Sequence, residues 1–169
     1  MTLAKKKTQR GIHMRWMIRR DIPQVLEIES KSFNEPWTEE NFLEVLRLRN
    51  CIGMVIEYEG EVIGFILYEL HDHSTIPGRP IEILNIAVHP EYRRMMIGTA
   101  MIEKLKSKLS FQRRRKLIAW ISDANLEAQV WLRSNGFLCT KIAKERYPDR
   151  PEMDAYKFEF VTSQDTETE

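Results

Sequence analysis

The chain has 169 residues, of which 43% are hydrophobic and 30% charged. That length builds one domain with a buried core, and the apolar content excludes disorder over most of it. The 26 basic and 25 acidic residues leave a formal +1, which argues against a nucleic-acid binder driven by bulk charge.

No apolar run approaches the ~20 residues of a membrane helix. Two cysteines, Cys51 and Cys139, lack the spacing of a metal site or a disulfide framework, which fits a reducing, cytoplasmic compartment. Residues 1–13, opening MTLAKKKTQRG, are basic and aperiodic and have no apolar signal core. They read as a flexible tail, as does the acidic TSQDTETE of residues 162–169. Residues 14–161 read as the folded domain.

Trp16 to Arg19 reads as a first strand. Asp21 is placed to cap a helix carrying Ile22, Val25, Leu26 and Phe33, with Pro23 in its first turn. Thr38 caps a second helix, where Glu39 and Glu40 suit the dipole. Cys51–Tyr58 and Glu61–His71 read as a hairpin turning at Glu59-Gly60. After the HDHSTIPGRP loop, Ile81–Val88 is a strand that His89-Pro90 ends. Ile97, Met101, Leu105 and Leu109 predict a helix over Gly98–Ser110. Leu117–Ile121 is a strand, Leu126–Asn135 a helix stopped by Gly136, and Phe137–Lys144 and Asp154–Val161 the last strands. The order βααβββαβαββ is a mixed α/β domain with a parallel crossover pair.

The segment with most chemistry is the Ile81–Val88 strand followed by HPEYRRMMIGTA. A helix start offers unpaired N–H groups and a positive dipole end. With Arg93, Arg94 and the small residues Gly98, Thr99 and Ala100, that start suits a phosphate-bearing cofactor.

IAVHPEYRRMMIGTAMIEKL resembles the acyl-CoA motif of the GNAT superfamily of N-acetyltransferases, whose pattern is Gln or Arg, two residues, Gly, one residue, Gly or Ala. Arg93 and Gly98 match, while Met96 stands where the middle glycine is usual. NEPWT, NLEAQVWLRSNGF and RYPDRPEMDAYKF resemble segments of the RimI branch, which acetylates protein N-termini. The resemblance implies acetyl-CoA as donor and a primary amine as acceptor; separately, no metal is expected from the ligand spacing. The resemblance also implies a cofactor site of Ile86, Ala87, Val88, Arg93, Arg94, Met95, Met96, Ile97, Gly98, Thr99 and Asn125. The Val88 N–H would face the acetyl carbonyl. For Met96 the expectation is a turn conformation ordinary for methionine, with the side chain turned away.

In the RimI branch the base glutamate falls on Trp120 and the acid tyrosine on Leu132, neither of which transfers a proton. Glu82 sits where histone-acetylating relatives carry their base. Alternation puts it on one face with Leu84, Ile86 and Val88. It is the candidate base, against a plain reading as a solvated strand-edge carboxylate. Tyr147 is the candidate acid or recognition residue. Trp37, His71 and Trp120 are candidates for the acceptor side. His71 and His73 flank Asp72 but show no third ligand at metal spacing. Arg113 to Lys116 reads as a helix end whose cations complement the dipole.

The leading expectation is acetyl transfer to a protein N-terminal α-amine. Lysine, a polyamine or another small amine is the alternative acceptor. A degenerate domain that binds acyl-CoA or a protein without turnover is the non-enzymatic alternative. No membrane partner is expected, and the sequence leaves the oligomeric state open.

Overall fold

A computed structural model describes residues 11–72, 74, 76–144, 146, 149 and 153–163. The described residues form two compact units, one drawn from residues 11–69 and 85–101, the other from residues 70–84 and 102–163.

In the first unit, β1 (Ile12–Trp16) lies antiparallel to β2 (Cys51–Tyr58), from Ile12↔Tyr58 to Trp16↔Met54. β1 begins ahead of the expected Trp16, inside the segment read as a tail. Its place is set by pairing with β2, which a five-residue run of mixed polarity does not announce. β2 pairs antiparallel with β3 (Glu61–Leu70). Glu59 and Gly60 turn between them with φ of 51° and 82°. Positive φ at both central residues suits the twist of a hairpin. β3 is buried along most of its length, as its VIGFILY run demands.

Two helices pack on these strands. α1 (Ile22–Ser32) buries Ile22, Val25, Ile28 and Glu29. Asp21 occupies its N-cap position but does not cap. Its oxygens instead accept from Arg15 at 2.8 and 2.9 Å and from the Ile18 N–H at 2.8 Å. The guanidinium outcompetes the helix amides for the carboxylate. α2 (Glu39–Leu46) is capped as expected: the Asn41 N–H donates to Thr38 Oγ1 at 3.2 Å, and the Thr38 N–H to Asn41 Oδ1 at 2.9 Å.

β4 (Ile81–Val88) contributes to both units, as does α3 (Ile97–Lys106). α3 ends earlier than predicted. Ser107 Oγ donates to the Lys104 carbonyl at 2.6 Å, and the next amides close i→i+3 turns. The 113–116 cations therefore lie beyond the helix rather than in its last turn. Arg115 stacks on Phe111 at 3.6 Å instead.

In the second unit, β4 pairs parallel with β5 (Lys116–Ser122) at Ile81↔Leu117, Glu82↔Ile118 and Ile83↔Ala119. α4 (Leu126–Ser134) stops as expected at Gly136, φ +88°. The Phe137 N–H donates to the Leu132 carbonyl at 3.1 Å and the Gly136 N–H to that of Arg133 at 3.0 Å. β7 (Ala155–Val161) is antiparallel to β5 and to β6 (Leu138–Ala143). The sheet order β1-β2-β3-β4-β5-β7-β6 is the mixed α/β arrangement read from the sequence. No described helix is long and apolar enough to cross a membrane.

Candidate active site

β4 alternates as predicted. Ile81, Ile83, Asn85 and Ala87 are buried, while Glu82, Leu84, Ile86 and Val88 form a half-buried face. The His89 N–H donates to the Ile63 carbonyl on β3 at 2.8 Å. Amides alternate between the two edges of a strand, so those of Val88 and Ile86 face away from β3. Ala87 is packed against β3: a Cβ on Gly64 would stand 3.2 Å from its carbonyl oxygen.

The chain then turns through Pro90–Tyr92, where His89 Nδ1 accepts from the Glu91 N–H at 3.2 Å. Arg93 is extended, but Arg94 and Met96 have φ of 60° and 64°. The expectation of an ordinary methionine conformation is therefore corrected: Met96 takes the left-handed geometry that the missing glycine would have supplied. The reversal into α3 imposes it, and a residue with Cβ pays ~1–2 kcal/mol for it. Its side chain is 55% exposed. The first intrahelical bond is Ala100 N–H to the Met96 carbonyl, 2.9 Å. The amides of Ile97, Gly98 and Thr99 precede it, at the positive end of the helix. Met95 is half-buried and Arg94 exposed.

Arg93 has a second role. Its Nε donates to the Val88 carbonyl at 3.0 Å and its Nη2 to Ser32 Oγ at 2.9 Å, tying the turn to β4 and α1.

Glu29 is a residue the sequence reading missed. It is 1% exposed, and burial raises its pKa against two hydrogen bonds that lower it. Oε1 accepts from the Trp37 N–H at 2.8 Å and Oε2 from Asn85 Nδ2 at 2.9 Å. The signal was present: Glu29 continues the apolar stripe of Ile22 and Val25, where a charge is out of place. The half-buried Trp37 ring packs 5.4 Å from Phe42, which meets Phe65 at 5.5 Å.

In the second unit, Glu82 is not a solvated strand-edge group. Its Oε2 lies 2.6 Å from His71 Nε2, and the two side chains are 13% and 8% exposed. Arg146 Nη2 stands 3.9 Å from Glu82 Oε1, and its guanidinium lies 3.9 Å from the centre of the half-buried Trp120 ring. The His71 N–H donates to the Pro80 carbonyl at 3.1 Å. Arg114 Nη1 donates to the carbonyls of His71 and Arg79. Burial lowers the pKa of Arg114, whose place in the charge run is thus structural.

Asn125 is the N-cap of α4; its Oδ1 accepts from the Ala128 N–H at 3.1 Å. Leu132 is core. Tyr147 and His73 lie outside the described residues.

The turn and the helix start fit a diphosphate: amides at a positive dipole end, a backbone held open by two left-handed residues, and an exposed arginine. A model described as the acetyltransferase (GNAT) family matches residues 22–137. A Bacillus subtilis (strain 168) protein, provisionally assigned as a ribosomal protein bS18-alanine N-acetyltransferase, is 30% identical over 134 residues, which span 78% of this chain and 84% of that one. The crystal structure of the ribosomal-protein-S18-alanine N-acetyltransferase from Escherichia coli matches with a TM-score of 0.75 at 22% identity, over 94% of this chain and 98% of that one. That of Arabidopsis thaliana NAA60 in complex with acetyl-CoA gives 0.72 at 20% identity, over 89% and 99%. The strand, the turn and the matched segment make this chain a member of the GNAT acetyltransferase family.

Proposed function

We propose that this GNAT N-acetyltransferase moves acetyl from acetyl-CoA to the α-amine of a protein N-terminus, with Glu82 as the base that frees the amine. The observation that carries the reading is the shielded Glu82 carboxyl, held 2.6 Å from His71 on the β4 face that also bears Val88. Relatives named for acetylation of a ribosomal protein's alanine support the choice of acceptor.

An α-amine titrates at about 7.7–8.0 and a lysine near about 10.4. At neutral pH one carboxylate has far less to do for the first. On the donor side, the outward amides of Ile86 and Val88 would pair with the arm of the thioester. The Val88 N–H would meet the oxyanion. The amides of Ile97, Gly98 and Thr99, with Arg94, would hold the diphosphate. Trp37, His71 and Trp120 belong to the acceptor side in this reading.

The amine nitrogen forms a bond to the acetyl carbon as Glu82 takes the amine proton. The tetrahedral oxyanion then collapses and the C–S bond breaks. Coenzyme A leaves as the thiolate, and the proton that Glu82 took is passed to it through solvent, which regenerates the carboxylate and balances atoms and charge. Bringing the two substrates together supplies much of the remaining acceleration.

The test is acetyl-CoA with two peptide sets, one with a free N-terminus and no lysine, the other N-terminally blocked with one lysine. The expected result is thiol release and a mass gain of one acetyl group in the first set only. Transfer only to the lysine of the second set would overturn the acceptor, and tight acetyl-CoA binding without thiol release would overturn catalysis.

A further inference from the structure

The buried Glu29 has no part in the chemistry above. A leucine there would extend the stripe of Ile22, Val25 and Ile28 without desolvating a carboxyl, but it would leave the Trp37 N–H and Asn85 Nδ2 without their acceptor. What the carboxyl supplies is direction. Its two oxygens point to two separate elements, and both partners are neutral donors. One is the backbone of Trp37 in the connection between α1 and α2. The other is Asn85, one residue before the β4 segment Ile86–Val88. Glu29 thus sets the Trp37 segment and that strand at fixed distances from a single turn of α1.

Resting on the reading of Trp37 as an acceptor-side residue and of β4 as the donor edge, we propose that Glu29 is a positioning residue that holds acceptor segment and donor strand in register for transfer. It touches neither substrate and acts through Trp37 and Asn85. Errors of about 1 Å in such alignment cost about 10²-fold in rate.

The experiment compares Glu29→Leu, which keeps volume but removes both acceptors, with Glu29→Gln, which keeps one oxygen for the Trp37 N–H and offers an amide to a flipped Asn85. Asn85→Ala, which removes one arm only, serves if the leucine variant does not fold. Kinetics are measured with whichever amine the wild type acetylates, so a wrong acceptor assignment leaves the test intact. Expected for Glu29→Leu is a 10- to 100-fold loss in kcat over acceptor KM, with acetyl-CoA affinity within about threefold. Glu29→Gln recovers most of that loss. Asn85→Ala shows a smaller loss of the same kind. Hydrogen exchange at the Trp37 amide, slow in wild type, becomes fast in Glu29→Leu and stays slow in Glu29→Gln.

Unchanged acceptor kinetics in Glu29→Leu, an equal loss of acetyl-CoA binding, or no recovery in Glu29→Gln would overturn the proposal. So would a Trp37 amide that exchanges equally fast in all variants. A wild type that acetylates no amine would overturn the functional reading and this role together. In that case the exchange data still report whether Glu29 pins the Trp37 segment.

Discussion

His71 Nε2 meets Glu82 Oε2 at 2.6 Å, joining the loop before β4 to the second residue of that strand. Arg114 grips the His71 carbonyl, so the imidazole is fixed from its backbone as well as from its ring. His71→Ala would leave a shielded carboxyl short of a partner, at a cost of about 1–3 kcal/mol. The expected outcome is a lower melting temperature and about a tenfold fall in turnover, with acetyl-CoA binding unchanged. Calorimetry and a thiol-release assay on one preparation check both. Unaltered turnover would separate the imidazole from the chemistry.

Met96 stores strain that a glycine would release. Met96→Gly relieves ~1–2 kcal/mol of left-handed strain and gives back ~0.4–1 kcal/mol through a more flexible unfolded chain. A net gain of about 0.5–1 kcal/mol is expected, a rise of a few degrees in melting temperature for a domain of this size. Acetyl-CoA affinity should hold or improve. Thermal denaturation with and without acetyl-CoA reads both, and a destabilised variant would show that Met96 contributes packing that the backbone argument ignores.

Arg94 is exposed at the helix start, whereas Arg93 is tied to Val88 and Ser32. Arg94→Ala should weaken acetyl-CoA binding several-fold at low ionic strength. The deficit should shrink toward physiological salt as screening sets in. Arg93→Ala should in addition lower thermal stability. Isothermal titration at two salt concentrations separates the two, and a salt-independent deficit for Arg94→Ala would contradict a charge role.

Asp21 sits 2.8 Å from Arg15, which holds its carboxyl below the usual aspartate range. A depressed folded value means that this stabilisation is complete above the unfolded pKa of about 3.9 and is lost as pH falls through the folded value. Asp21→Asn should cost about 1–3 kcal/mol near neutrality. The gap between the two proteins should close as pH falls through that lowered folded value in urea denaturation series. A gap that persists in acid would assign the loss to packing.

Features governed by neighbouring residues were legible in the sequence. Alternation along Ile81–Val88, the glycine turns at Gly60 and Gly136 and the Thr38 cap each follow from a few adjacent side chains. What stayed hidden depends on partners distant in the chain. Glu29 and Asn85 are 56 residues apart, Arg93 and Ser32 61. Periodicity marks Glu29 as facing inward but says nothing of what meets it there. Asp21 shows the same limit, because its position suited a cap while its side chain went to Arg15. At Met96 the family pattern predicted the backbone better than residue propensity did, because the reversal into α3 overrides the cost of a Cβ.

The most direct measurement is the pH dependence of kcat/KM for Glu82→Gln beside wild type, with one N-terminal peptide and acetyl-CoA. With Glu82 as base, the variant loses about 10²-fold or more at neutral pH. Its residual rate climbs with pH as the amine deprotonates unaided, and its acetyl-CoA affinity stays that of wild type. Superimposable profiles for the two proteins would contradict the assignment.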